Sequence, residues 1–162
     1  MVMPGHGERE MKPVMIFRRC MEVLSDGYIC ALATTLESKP RVRAMEYAVD
    51  DAGIIYMLTE GGRKVRDILL NPNVSIAVWE DGSRASLVGL SITARAEIVD
   101  PGAEDRFAQY YENYKTCSGK ELPPVEELPQ GIKIIRVVPD VMELFDPSLS
   151  KEGYSPRQIW RR

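Results

Sequence analysis

Between Arg41 and Lys64 the chain runs strand, tight turn, strand, and then crosses a Gly-Gly step into a basic helix start. No other stretch restricts the fold as strongly. Residues 41–49 form the first strand, Asp50, Asp51, Ala52 and Gly53 the turn, and residues 54–59 the second strand. Glu60, Gly61, Gly62, Arg63 and Lys64 follow. A link this short pairs its strands antiparallel, because parallel pairing needs a crossover of about a dozen residues or more.

The flanking sequence extends the same pattern. Residues 28–35 are β-branched, aromatic or small and apolar, which predicts a strand buried on both faces. A polar hairpin connection at 36–40 joins it to the next strand. Val74, Ile76 and Val78 alternate with polar or small residues, predicting a half-buried strand that ends at Trp79. Residues 80–83 are a turn, and 85–99 a long strand with Gly89 as a bend or bulge. Residues 132–138 and 141–145 are two further strands on either side of Pro139.

Three helices are expected. Pro13 opens the first, with Val14, Phe17, Met21 and Leu24 as its apolar stripe and Asp26-Gly27 as its stop. The second begins after Gly62, with Val65, Ile68 and Leu69 on one face and Arg63, Lys64, Arg66 and Asp67 on the other. Asn71-Pro72 ends it. Asp100 caps the third at Pro101, and Phe107, Tyr110, Tyr111 and Tyr114 form an aromatic stripe that packs over an open end of the sheet. Six or seven antiparallel strands without a βαβ unit close into a barrel or sandwich to remove their edges. The expected organisation is a loose tail over 1–12, one domain over 13–146, and an irregular tail over 147–162 that packs on the barrel or on a partner subunit.

Composition narrows the function. The 162 residues suit one domain, and a net charge of −3 argues against general binding to nucleic acid or anionic membrane. Three cysteines, Cys20, Cys30 and Cys117, form no C-x-x-C pair and predict neither a disulfide framework nor a zinc site. A reducing, cytoplasmic setting is expected, with no signal segment and no membrane span. The single histidine, His6, lies in the N-terminal tail, so no Ser/His/Asp set is available. Neither a G-x-G-x-x-G fingerprint nor a Walker-type loop occurs.

The charges around the Gly-Gly step point to an anion. Arg63 and Lys64 start a helix, where each cation opposes the macrodipole at a cost of roughly 0.3–1 kcal/mol. Gly61 and Gly62 leave backbone N–H groups open to approach. Arg43 sits mid-strand on the neighbouring hairpin. A phosphate among these groups would gain about 1.5–3 kcal/mol per charge-assisted hydrogen bond. With no acid–base or metal set in the chain, redox chemistry would come from a cofactor. Flavin mononucleotide fits: one phosphate, one flat apolar ring, and hydride chemistry at the ring.

The order of these elements resembles the pyridoxamine-phosphate-oxidase-like family of FMN-binding split barrels. The resemblance rests on the apolar strand at 28–35, Pro40 and Arg43, the hairpin closing at Leu58-Thr59, Arg63-Lys64, the helix end Leu69-Leu70-Asn71-Pro72, and the strands at 74–79 and 94–99. It implies a mainly β, six-stranded antiparallel Greek-key split barrel with flanking helices, assembled as a homodimer with FMN at the interface. It implies phosphate ligands at Arg43, Thr59, Arg63 and Lys64, and the backbone of Ala44, Met45 and Glu46 along the isoalloxazine edge. Leu58 and Trp160 complete the implied cofactor set, Trp160 reaching the partner's flavin.

The chain also departs from the pyridoxamine-phosphate oxidases themselves. Ala48 stands where they carry a lysine, and Tyr110, Tyr111 and Tyr114 stand without the arginine and serine of their substrate-phosphate set. Arg157-Gln158-Ile159 does not replace their Arg-x-His, and Leu90 stands for a flavin-touching glutamine. The expected activity is therefore a flavin-dependent hydride transfer at N5, with a small-molecule substrate or electron donor other than vitamin B6. The alternative is a non-catalytic module binding flavin, haem or deazaflavin, or carrying electrons.

Overall fold

The computed structural model describes residues 9–80 and 86–162. His6, most of the expected N-terminal tail and most of the turn expected at 80–83 lie outside the described residues. Eight strands form one antiparallel sheet: β1 (Ile29–Leu36), β2 (Lys39–Glu46), β3 (Ala48–Val49), β4 (Ile55–Thr59), β5 (Asn73–Trp79), β6 (Gly89–Val99), β7 (Lys133–Phe145) and β8 (Arg157–Arg161). The helices are α1 (Pro13–Asp26), α2 (Arg63–Leu70) and α3 (Glu104–Ser118). Among the described residues, no helix is long and apolar enough to cross a membrane.

The strand order is β2-β1-β5-β6-β7-β4-β3, with β8 added on β7. β2 and β3 lie at opposite ends of this order, yet only Tyr47 separates them in sequence. The expected strand at 41–49 therefore leaves β1 at Tyr47 and joins β4, which curls the sheet into a split barrel. This break, together with β8, explains eight strands in place of six. The 147–162 segment is likewise not irregular: a 3₁₀ turn (Pro147–Glu152) leads to β8, whose residues 157–161 pair with 141–145 of β7.

Turn chemistry sets the registers. Glu37 and Ser38 both take positive φ, 51° and 59°, and close the β1–β2 hairpin. The two strands expected around Pro139 are one continuous β7. Thr93 faces Val141 and Ala94 faces Pro139, so Asp140 is the bulged residue. The irregularity lies there and not at Gly89, which is the first residue of β6.

The barrel interior holds the main core, including Leu32, Ile55, Met57, Ile76, Leu90, Ile92, Ile135 and Leu144. α1 closes one end with Ile16, Cys20, Val23 and Leu24, while Val14 is 64% exposed, contrary to the expected stripe. The seated face is the one that carries Ile16 and Cys20, one turn apart. α3 covers the other side, where Phe107, Tyr111 and Tyr114 bury against Tyr56, Val99 and Ile134. β1 is buried on one face only: Cys30, Leu32 and Thr34 point inward, Ile29 is 45% exposed, and Ala31 and Ala33 are half-buried.

Candidate functional site

The Gly61-Gly62 step takes φ of 124° and 92°, a region costly for other residues. It lets the chain leave β4 and enter α2 through a link of only three residues, Glu60, Gly61 and Gly62. Thr59, buried at the end of β4, braces the turn: its Oγ1 accepts from the Gly61 N–H at 3.2 Å. Gly62 is the N-cap of α2, and no side chain caps this helix start. The Val65 N–H donates to the Gly62 carbonyl at 3.2 Å, and the Arg63 and Lys64 N–H groups before it have no side-chain acceptor. Lys64 Nζ donates to the Gly61 carbonyl at 2.9 Å and so stays over the turn. Among the described residues, no carboxylate lies within ion-pair distance of Arg63 or Lys64.

Opposite this turn runs the end of β2. Between them opens a shallow hollow of about 560 Å³. Ala44, Met45 and Glu46 line one side; Leu58, Thr59, Gly61, Gly62 and Lys64 line the other, with Glu60 also on its wall. The fold thus unites most of the residues singled out in the sequence, although β2 and β4 are not hydrogen-bonded neighbours.

Arg43 belongs to an adjoining cluster that the sequence did not reveal. Its Nη1 donates to Thr34 Oγ1 at 2.8 Å, and its Nη2 lies 4.0 Å from Asp67 Oδ2. Thr34 in turn donates to Asp67 Oδ2 at 2.8 Å. Arg41 Nη1 reaches both Asp67 oxygens, at 2.9 and 3.0 Å. Burial alone would raise the Asp67 carboxyl; the hydrogen bonds from Thr34 and Arg41 and the charges of Arg41 and Arg43 outweigh it and hold the group below its ordinary value. Burial pulls the Arg43 guanidinium down, Asp67 pushes it up, and Arg41 adds a lowering influence.

Asp67 is only 1% exposed, so its assignment to the polar face of α2 is corrected, as is the inward placing of Leu69, which is 66% exposed. The buried residues of the helix are Val65, Asp67 and Ile68, which puts Asp67 against β1 and β2 and turns Leu69 out. Arg41 and Arg43, two cations on one strand face with Glu46 on the other, were the signal for a buried acid.

The remaining nominated residues lie elsewhere. Arg63 is exposed at the first position of α2 and does not line the hollow. Trp160 sits on β8, with its ring 5.1 Å from that of Phe17 and the Arg162 guanidinium 5.5 Å from its ring centroid. Within one chain it is not brought to the hollow. Leu90 is 2% exposed inside the main core, so its side chain does not face the hollow either. Ala48 is buried beneath α3. Among the described residues, no group of three or more His, Cys, Asp or Glu side chains could hold a metal ion.

Comparison with known proteins agrees with this architecture. A profile described as pyridoxamine 5'-phosphate oxidase matches residues 17–144, most of the chain. No curated protein matches the sequence significantly. Among solved structures, a FAD-binding protein from Mesorhizobium loti is similar at 20% identity, with 78% of this chain and 89% of that one covered and a TM-score of 0.64. General Stress Protein 26 from Bacillus anthracis str. Sterne is similar at 17% identity, covering 91% and 98%, with a TM-score of 0.63. An F420 reductase is similar at 23% identity, covering 75% and 93%, with a TM-score of 0.55. At these identities the likeness is one of fold. With the profile spanning both sides of the hollow and the arginine cluster beside it, the chain belongs to the pyridoxamine 5'-phosphate oxidase family.

Proposed function

We propose that the protein binds FMN in the hollow between β2 and the β4–α2 turn and acts as a flavin-dependent oxidoreductase on a small molecule. One observation carries the reading: an uncapped helix start, two glycines with positive φ and the Lys64 ammonium face the same concavity as the end of β2. A phosphate there would meet backbone N–H donors and a cation together. Arg63 adds charge at the same helix start, and Arg43 retains donors beyond the one spent on Thr34. Ala44, Met45, Glu46 and Leu58 would border the ring. When bound, FMN would supply hydride exchange at N5, while the chain binds and orients it. The family and the FAD and F420 proteins of like fold support a flavin or deazaflavin.

We also propose a homodimer that places the site at the subunit interface and lets Trp160 approach the partner's flavin. The outer sheet face supports it. Val42, Trp79 and Ile159 are 68%, 53% and 48% exposed there, beside the small residues Ala31, Ala33, Ala77 and Ser91. Isolated monomers rarely leave such apolar faces in water. The three cysteines are unpaired, which accords with a cytoplasmic setting.

The direct test is reconstitution: FMN, riboflavin and deazaflavin are titrated against the purified protein while flavin fluorescence is followed. Saturable binding of FMN, tighter than riboflavin, is expected. No flavin or deazaflavin bound after reconstitution overturns the reading. Anaerobic reduction of the bound flavin by NADH or NADPH distinguishes an enzyme from a carrier.

A further inference from the structure

A second cavity, of about 280 Å³, lies behind the cofactor hollow. Its walls are the last turn of α1, the break between β2 and β3, and the end of α3. Glu46 lines both cavities, so the two share a wall at one side chain. The volume falls just below the roughly 300–1,000 Å³ usual for whole drug-sized ligands, which suits one small group of a substrate.

The electrostatics of this cavity are one-sided. α1 and α3 both end at it, and each helix C-terminus carries partial negative charge. α1 has no basic residue in its last turn, α3 has Lys115 in its own but outside the lining, and the Leu24 carbonyl is taken by the Tyr47 hydroxyl at 2.6 Å. Asp26 and Glu46 add carboxylates to the lining. Burial raises the Cys117 thiol first, and Asp50 and Asp51 raise it further, so the negative field extends past the rim. The one cation in the lining is Lys120, carried on the segment after α3, and its ammonium is paired with Glu46. Both side chains of this pair are substantially exposed, at 41% and 56%. Such a pair is cheaply exchanged for another cation.

We propose that this cavity is the substrate subsite, and that it takes a cationic group, such as a protonated amine, which replaces Lys120 at Glu46 beside the ring of the bound flavin. The inference rests on the flavin reading for its orientation but not for the binding itself. No arginine stands in the lining of this cavity to receive an anionic substrate group.

The test uses three probes of one ring that differ in charge: tyramine, 4-ethylphenol and 4-hydroxyphenylacetate. Each is titrated by calorimetry into the full chain with and without FMN. Tyramine is expected to bind at least about tenfold tighter than either other probe. Lys120→Met, at an exposed position, should tighten tyramine about threefold by removing the internal competitor, a gain that misfolding cannot imitate. Glu46→Gln should abolish the preference. Equal or tighter binding of 4-hydroxyphenylacetate, or unchanged preference in both variants, overturns the proposal. Tyramine binding in a chain that takes no FMN would retain the subsite and remove the flavin, so the two readings fail separately.

Discussion

Arg41 on β2 and Asp67 on α2 are joined by a two-point contact, with Nη1 at 2.9 and 3.0 Å from the two carboxylate oxygens. The pair ties the helix that opens at the Gly-Gly step to the strand that lines the hollow. Thr34 extends the tie, donating to Asp67 and accepting from Arg43. Arg41 thus spends its charge on the buried acid, and Arg43 is held in place with most of its donors free.

This division predicts different effects for the two arginines. Arg41→Ala should lower the melting temperature more than Arg43→Ala, because it strands a buried carboxylate. Arg43→Ala should weaken FMN more than riboflavin. Thermal melts and paired flavin titrations check it; the reverse ranking would show that Arg41 is the phosphate ligand.

Acid should loosen the same tie. The Asp67 carboxyl is held below its ordinary value in the folded chain, as is Asp146, where burial is outweighed by hydrogen bonds from Ser148 and Arg19. Their stabilisation is complete above the unfolded carboxylate value of about 3.9 and is lost as pH falls through the lower folded values. Denaturant melts from pH 7 down to pH 3 should show stability falling below about pH 4. Asp67→Asn should flatten that fall in part, leaving the share due to Asp146.

Arg63→Ala combined with Lys64→Ala should weaken FMN at least about tenfold and riboflavin much less. Arg63 is exposed and the Lys64 ammonium meets only a turn carbonyl, so the fold should survive. Equal losses for the two flavins would move the phosphate away from the helix start.

Gly27 tests the packing behind the site. A Cβ there would lie 2.7 Å from the Tyr47 hydroxyl. Gly27→Ala should cost about 1–3 kcal/mol through overpacking, and Tyr47→Phe about 0.5–1.5 kcal/mol through its lost bond to Leu24. The double variant should cost less than the sum, since the phenylalanine removes the clashing oxygen. Chemical denaturation of all three variants measures the coupling.

Charge on the outer sheet face should separate the proposed dimer. Val42→Lys with Ile159→Lys is expected to shift the mass from two chains to one, read by sedimentation, while the monomer fold persists. A single-chain mass before substitution removes the interface.

Local chemistry carried the element types. The antiparallel hairpins followed from short links, α2 from its period change, and the start of α1 from Pro13, whereas Asp100 caps a 3₁₀ turn (Pro101–Ala103) and α3 itself begins uncapped at Glu104. Arg63 and Lys64 stood out in the sequence because two cations at a helix start oppose the macrodipole, while Thr59 entered only through the family resemblance. What escaped were the properties set by which surface each element meets. Asp67 looked solvated because helical periodicity gives a face but not the neighbour it presses against. Val14 looked buried for the same reason, and residues 157–161 carried too weak an alternation to show a strand before β7 offered them an edge.

The amino-acid order alone therefore determined a chain of antiparallel strands with a basic helix start after a Gly-Gly step, since those properties arise between residues close in sequence. Only the tertiary structure decided that the strand breaks at Tyr47 to close the barrel, that Thr34, Arg41, Arg43 and Asp67 meet, and that Glu46 separates two cavities. Each joins residues distant along the chain. Their meeting depends on burying the two cores together, which no local pattern encodes.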